Sequence, residues 1–76
     1  MMITVRVISK STGKPIEGKK VALGISALLS GGVTHGKWTD SHGEAHFDVK
    51  PNYGKVFVSG STEYEGYLSG LITVRI

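Results

Sequence analysis

Apolar and polar residues alternate along this chain in short runs, and nearly every run ends at a glycine or a proline. A repeat of two is the side-chain repeat of a β-strand, in which neighbours point to opposite faces. No stretch keeps helical apolar spacing from one turn signal to the next. The eleven glycines are irregularly spaced. They therefore read as turn punctuation in an all-β chain rather than as a repeat.

The runs place the strands. Ile3, Val5 and Val7 share one face of a first strand, Ile3 to Ile8. A polar turn broken by Gly13, Pro15 and Gly18 leads to a second strand, Lys19 to Ile25, with Val21, Leu23 and Ile25 inward. A third strand is expected from Val33 to Thr39, with Thr34, Gly36 and Trp38 on the core side. The four residues Asp40 to Gly43 are the clearest turn signal: aspartate bonds backbone two residues on, and glycine takes the positive φ of a tight turn. Ala45, Phe47 and Val49 then point inward from a fourth strand. Residues 51–54 read as a turn into a fifth strand, Lys55 to Ser59, and a polar link from Gly60 to Gly66 leads to a last strand carrying Ile72, Val74 and Ile76 inward. About six or seven short strands favour two sheets packed face to face, because each apolar face needs a cover.

With 76 residues the chain makes one domain (residues 1–76), and one this small buries only about 60% of its unfolded surface. Its apolar residues are committed to the core, which argues against an elaborate active-site pocket. Cysteine is absent, so disulfides and thiolate metal ligands are excluded. No apolar run approaches the roughly 18 residues of a membrane span. Strand-like alternation begins two residues after Met1 with no secretory pattern before it. The chain as written therefore reads as cytoplasmic, or as extracytoplasmic if it is a fragment of a longer secreted protein. The net charge is +3, with Lys10, Lys14, Lys19 and Lys20 around the first turn. Phosphate or anionic lipid would suit such a cluster. The simpler reading is that these lysines solvate a turn and guard strand edges. No aromatic residue interleaves with them as a base-stacking platform needs, which argues against nucleic acid.

Residues 13–23, GKPIEGKKVAL, fit the pattern G-x-P-I-x-G-x-x-V-x-L, and residues 39–49, TDSHGEAHFDV, fit T-D-x-x-G-x-A-x-F-x-V. Together they resemble the transthyretin-like superfamily, which includes carboxypeptidase-regulatory-like domains and the repeats of bacterial surface adhesins. The resemblance covers roughly residues 3 to 60 and implies a small antiparallel, immunoglobulin-like (transthyretin/prealbumin-like) β-sandwich. Its motif residues are turn and core positions, so it implies little about function. The hydrolase branch of that superfamily has a first-strand histidine and a Tyr-Arg-Gly-Ser ending; here Arg6 stands in the first strand and the chain closes on Thr73, Val74, Arg75 and Ile76. The adhesin cross-link needs a first-strand lysine and a last-strand asparagine, and neither is in place. The resemblance therefore implies a non-enzymatic module without a cofactor.

Four groups of side chains are candidates for function. If Thr39 pairs with Glu44 across the turn, His35, Lys37, His46 and Asp48 share an outward face, with His35 and His46 about 7–8 Å apart by backbone. His35, His46 and Asp48 are metal-ligand types, but Lys37 among them repels a cation, and the simpler reading is solvated polar side chains. His35 with Asp48 also has the form of a base and its orienter, yet no motif places a serine beside it. Tyr64 and Tyr67, expected on one polar loop, are candidates for stacking on a sugar or another small polar ligand, whereas Trp38 reads as core and Tyr53 as a corner tyrosine bonding backbone. Finally, Leu28 and Leu29 interrupt an otherwise polar connection, and exposed apolar patches mark partner contacts; the competing reading is a further strand or turn covering the sandwich. The expected function is a structural or protein-interaction module, self-associating through an edge strand or the Leu28 and Leu29 segment. Binding of carbohydrate or another small polar ligand is the alternative.

Overall fold

The computed structural model describes residues 2–25 and 32–76. Among the described residues the chain is all-β, with no helix and seven strands: β1 (Ile3–Ile8), β2 (Lys20–Ile25), β3 (Lys37–Trp38), β4 (Glu44–Phe47), β5 (Asn52–Val58), β6 (Ser61–Leu68) and β7 (Leu71–Arg75). They form a three-stranded sheet, β4-β1-β7, and a four-stranded sheet, β3-β2-β5-β6. The inward faces meet in one apolar core. Ile3, Val5 and Val7 of β1 and Val21 and Leu23 of β2 are fully buried, as are Val56 of β5 and Leu68 of β6. Phe47, Ile72 and Val74 close the core from β4 and β7. Each such side chain contributes about 1.5–3 kcal/mol by leaving water.

Four expectations need correction. The sandwich is not wholly antiparallel, because β1 and β7 run parallel, with Val5 beside Ile72 and Val7 beside Val74. Alternation sets which face a side chain takes but not the direction of strands far apart in sequence. The third and fourth strands do not form a ladder: β3 pairs with β2 and β4 with β1, so the turn at residues 40–43 carries the chain from one sheet to the other.

The third correction concerns residues 60–66, which are not a link. Residues 61–66 belong to β6, at eight residues the longest of the described strands. Its polar composition masks it, because at the sheet edge only Tyr64 and Leu68 pack against the core. The turn before it is the pair Ser59 and Gly60, at φ 51° and 86°. Two positive φ angles in a two-residue loop match the right-handed twist of a hairpin. Strand β5 accordingly starts at Asn52, where a turn was expected.

The fourth is Trp38, which is outward and 66% exposed. It stands opposite Lys20, whose neighbour Val21 is the buried one. Lys37 lies opposite Val21 and extends its ammonium to 5.6 Å from the centroid of the Phe47 ring, a cation–π contact at the rim of the core.

Candidate binding surface

The outer face of the four-stranded sheet follows from the same alternation that builds the core. With Gly54, Val56 and Val58 inward, β5 turns Tyr53, Lys55 and Phe57 outward. Strand β6 adds Glu65 opposite Lys55 and Tyr67 opposite Tyr53. Strand β2 contributes Ala22 beside Phe57 and Gly24 beside Lys55. The Phe57 ring covers Gly24 so closely that a Cβ there would lie 2.9 Å from it. Tyr53 and Tyr67 meet edge to face, with ring centroids 5.0 Å apart and planes at 72°, the arrangement that aromatic quadrupoles favour.

Much apolar surface is left open here. Among the described residues, Val33 (58% exposed), Trp38, Tyr53 (65%) and Tyr67 (50%) all lie on this sheet or the segment bridged to it; only Met2 and Leu71 are comparable elsewhere. A trough of about 180 Å³ is lined by Tyr53, Gly54, Lys55, Glu65 and Gly66. A larger hollow of about 370 Å³ lies along β2, lined by Ala22, Val33, Gly36 and Phe57.

The structure separates the two tyrosines expected to act together. Tyr64 is half-buried on the inner side, packs against the core and donates its hydroxyl to the carbonyl of Tyr67 at 3.1 Å. It is therefore the backbone-bonding tyrosine, the role expected of Tyr53. Tyr67 is on the outer face, and its aromatic partner is Tyr53. The signal for Tyr53 was available in the alternation of Val56 and Val58, which extends back to it once β5 starts at Asn52. Leu28 and Leu29 lie outside the described residues.

His35, His46 and Asp48 are not brought together. His35 and Asp48 line an opening of about 340 Å³ at the rim of the sandwich, beside Lys37, Phe47 and Val49. His46 is on the outer face of the other sheet, where its Nδ1 is 2.9 Å from the Thr4 hydroxyl. The donor group that does converge is Asp40, Glu44 and His46, with one ligand atom from each within 4.8 Å of the others. All three side chains already make hydrogen bonds within the protein. Asp40 Oδ1 accepts the N–H groups of His42 and Glu44 at 2.9 and 3.0 Å. Glu44 Oε2 accepts from Arg6 Nε at 3.1 Å and from Nη2 at 2.5 Å. The Glu44 N–H, with a smaller contribution from that of His42, holds the Asp40 carboxyl below the ordinary carboxylate range against a weaker opposing effect of desolvation. A cation would compete with Arg6 for Glu44 and with the turn N–H groups for Asp40, which makes the group a turn lock before it is a metal site.

Thr39, expected at the end of a strand and opposite Glu44, has a different role. It is a buried polar residue, 3% exposed, donating to the Ile16 carbonyl at 2.7 Å and accepting the Lys19 N–H at 2.9 Å.

No protein-family model matches the chain, and no curated protein matches it.

Proposed function

We propose that this chain is a non-catalytic protein-interaction module whose contact surface is the outer face of the β3-β2-β5-β6 sheet. The observation carrying this reading is the gathering of Val33, Trp38, Tyr53 and Tyr67, all at least half exposed, on that one face. Aromatic residues are enriched at interfaces, and an apolar face on so small a domain leaves apolar area uncovered until a partner takes it. A second copy of the chain is the first partner to test. Sedimentation should show concentration-dependent association that weakens in Tyr53→Ser with Trp38→Ser. A monomer at all concentrations, with no change in either variant, would count against self-association through this face.

A transthyretin-like origin for the sandwich is part of the proposal. Its support is that residues of the two motif segments meet: Thr39 bonds to Ile16 and Lys19, and Gly43 packs on Pro15.

The trough beside Tyr53 favours carbohydrate as the second reading. It offers an aromatic ring for stacking and, in Lys55 and Glu65, a hydrogen-bond donor and an acceptor. Among the described residues these two charges make no ion pair although they stand directly opposite each other. A glycan array separates the readings: saturable retention of one sugar class, abolished by Tyr53→Ala, would favour the sugar over the protein partner.

A further inference from the structure

The opposite outer face, on β4-β1-β7, carries a groove of about 500 Å³. Its floor is set by the parallel register of β1 and β7, which places Arg6 beside Thr73 and Ile8 beside Arg75. One wall is the turn from Ser9 to Pro15, closed by Ser9 N–H to Lys14 carbonyl at 2.8 Å and anchored where Pro15 bridges Ile8. His42, from the turn that joins the sheets, also lines the groove; its neighbour Gly43 packs on Pro15, so it extends the same wall.

Positive charge collects in this groove. Arg6 is held through Nε and Nη2 by Glu44, which fixes the guanidinium plane and, among the described residues, leaves Nη1 without a hydrogen bond. Arg75 has no carboxylate partner among the described residues. Lys10 and Lys14 stand exposed on the turn that forms the wall. Thr73 adds a hydroxyl, and His42 a ring nitrogen.

We infer that this groove binds the phosphate group of a small organic phosphate, with Arg75 as its main ligand and Arg6, Thr73 and His42 as further donors. Donors that rise from a floor and from a side wall match a tetrahedral oxyanion better than a flat carboxylate. The guanidinium fork supplies paired charge-assisted hydrogen bonds. A groove of this volume has room for an organic body beyond the phosphate, against Ile8 and Pro15. The site is independent of the aromatic face on the other sheet.

Inorganic phosphate and glycerol phosphate, titrated at constant ionic strength into the ¹⁵N-labelled protein, test the inference. Saturable shifts are expected at Gly13, His42, Thr73 and Arg75, with glycerol phosphate tighter than inorganic phosphate. Arg75→Gln should weaken both at least about tenfold, Arg75→Lys should restore part of the loss, and Lys20→Gln on the other sheet should change nothing. Shifts that spread over all lysines without saturating would overturn the site, as would Arg75→Gln behaving like the parent. Acetate binding as tightly as phosphate would overturn the assignment to phosphate.

Discussion

The hydroxyl of Thr39 hydrogen-bonds to the carbonyl of Ile16 across 23 residues of chain, at 2.7 Å and out of reach of solvent. Thr39 also receives the Lys19 N–H on the same oxygen, and its backbone pairs with Lys19 and Gly18 at 2.9 and 3.0 Å. One side chain thus ties the entrance of β2 to the point where the chain leaves the four-stranded sheet for the other.

Thr39→Val keeps the shape and removes both side-chain bonds. It leaves the part-buried Ile16 carbonyl and Lys19 N–H without that partner, and a lost partner of this kind costs about 1–3 kcal/mol where water cannot replace it. Thr39→Ser retains the hydroxyl and should lose clearly less. Urea melts of the two variants rank them, and equal midpoints would remove the hydroxyl from the account.

Gly43 is constrained twice. Its φ is +74°, and a Cβ would lie 2.6 Å from the Val7 carbonyl oxygen and 2.9 Å from Pro15 Cβ. Gly60, at φ +86°, has open space around it. Gly43→Ala should therefore cost more than Gly60→Ala, which bears only the backbone strain of about 1–3 kcal/mol. Lys14→Ser, on the surface, should leave the melting temperature unchanged.

Asp40 makes acid stability legible at one group. Its folded pKa lies below the ordinary value of 3.8 because the Glu44 and His42 N–H groups favour the carboxylate. A depressed carboxylate contributes stability that is complete above its unfolded pKa and is lost as pH falls through the folded one. The Asp40 carboxyl signal in ¹³C NMR should titrate below 3.8. In Asp40→Asn that part of the acid sensitivity should disappear.

Zinc should find no strong site at Asp40, Glu44 and His46, because the Arg6 pair and the turn N–H groups already hold the carboxylates. An equimolar zinc addition should leave the His46 ring resonances in place. In Arg6→Gln, which frees Glu44, zinc should bind more tightly; a saturable site in the parent protein would contradict this.

The pair Tyr53 and Tyr67 is exposed, so Tyr53→Ser should cost only the cross-strand ring contact, about 0.5–1.5 kcal/mol. Tyr64→Ala should cost more, since that ring packs on the core and its hydroxyl holds the Tyr67 carbonyl. Chemical denaturation of both variants gives the comparison, and the reverse order would exchange the two roles.

Alternation by itself determined which side chains of β1, β2, β4, β5 and β7 face the core. Ile3, Val5 and Val7, then Val21, Leu23 and Ile25, and later Ile72 and Val74, are buried as their spacing requires. The residues Asp40 and Gly43 likewise announced their turn, because an Asx hydrogen bond and a positive φ are local events. Tertiary structure decided what local chemistry does not encode. Whether the strands on either side of that turn share a sheet depends on which partner each finds across the sandwich, and Trp38 and Lys37 took their faces from β2 rather than from their own run. The parallel match of β1 with β7 likewise depends on how distant strands meet. The binding surfaces belong to the same class. Tyr53 meets Tyr67, and Arg6 shares a groove with Arg75, only because strands far apart in sequence became neighbours, and pairing of that kind is a property of the packed sheets.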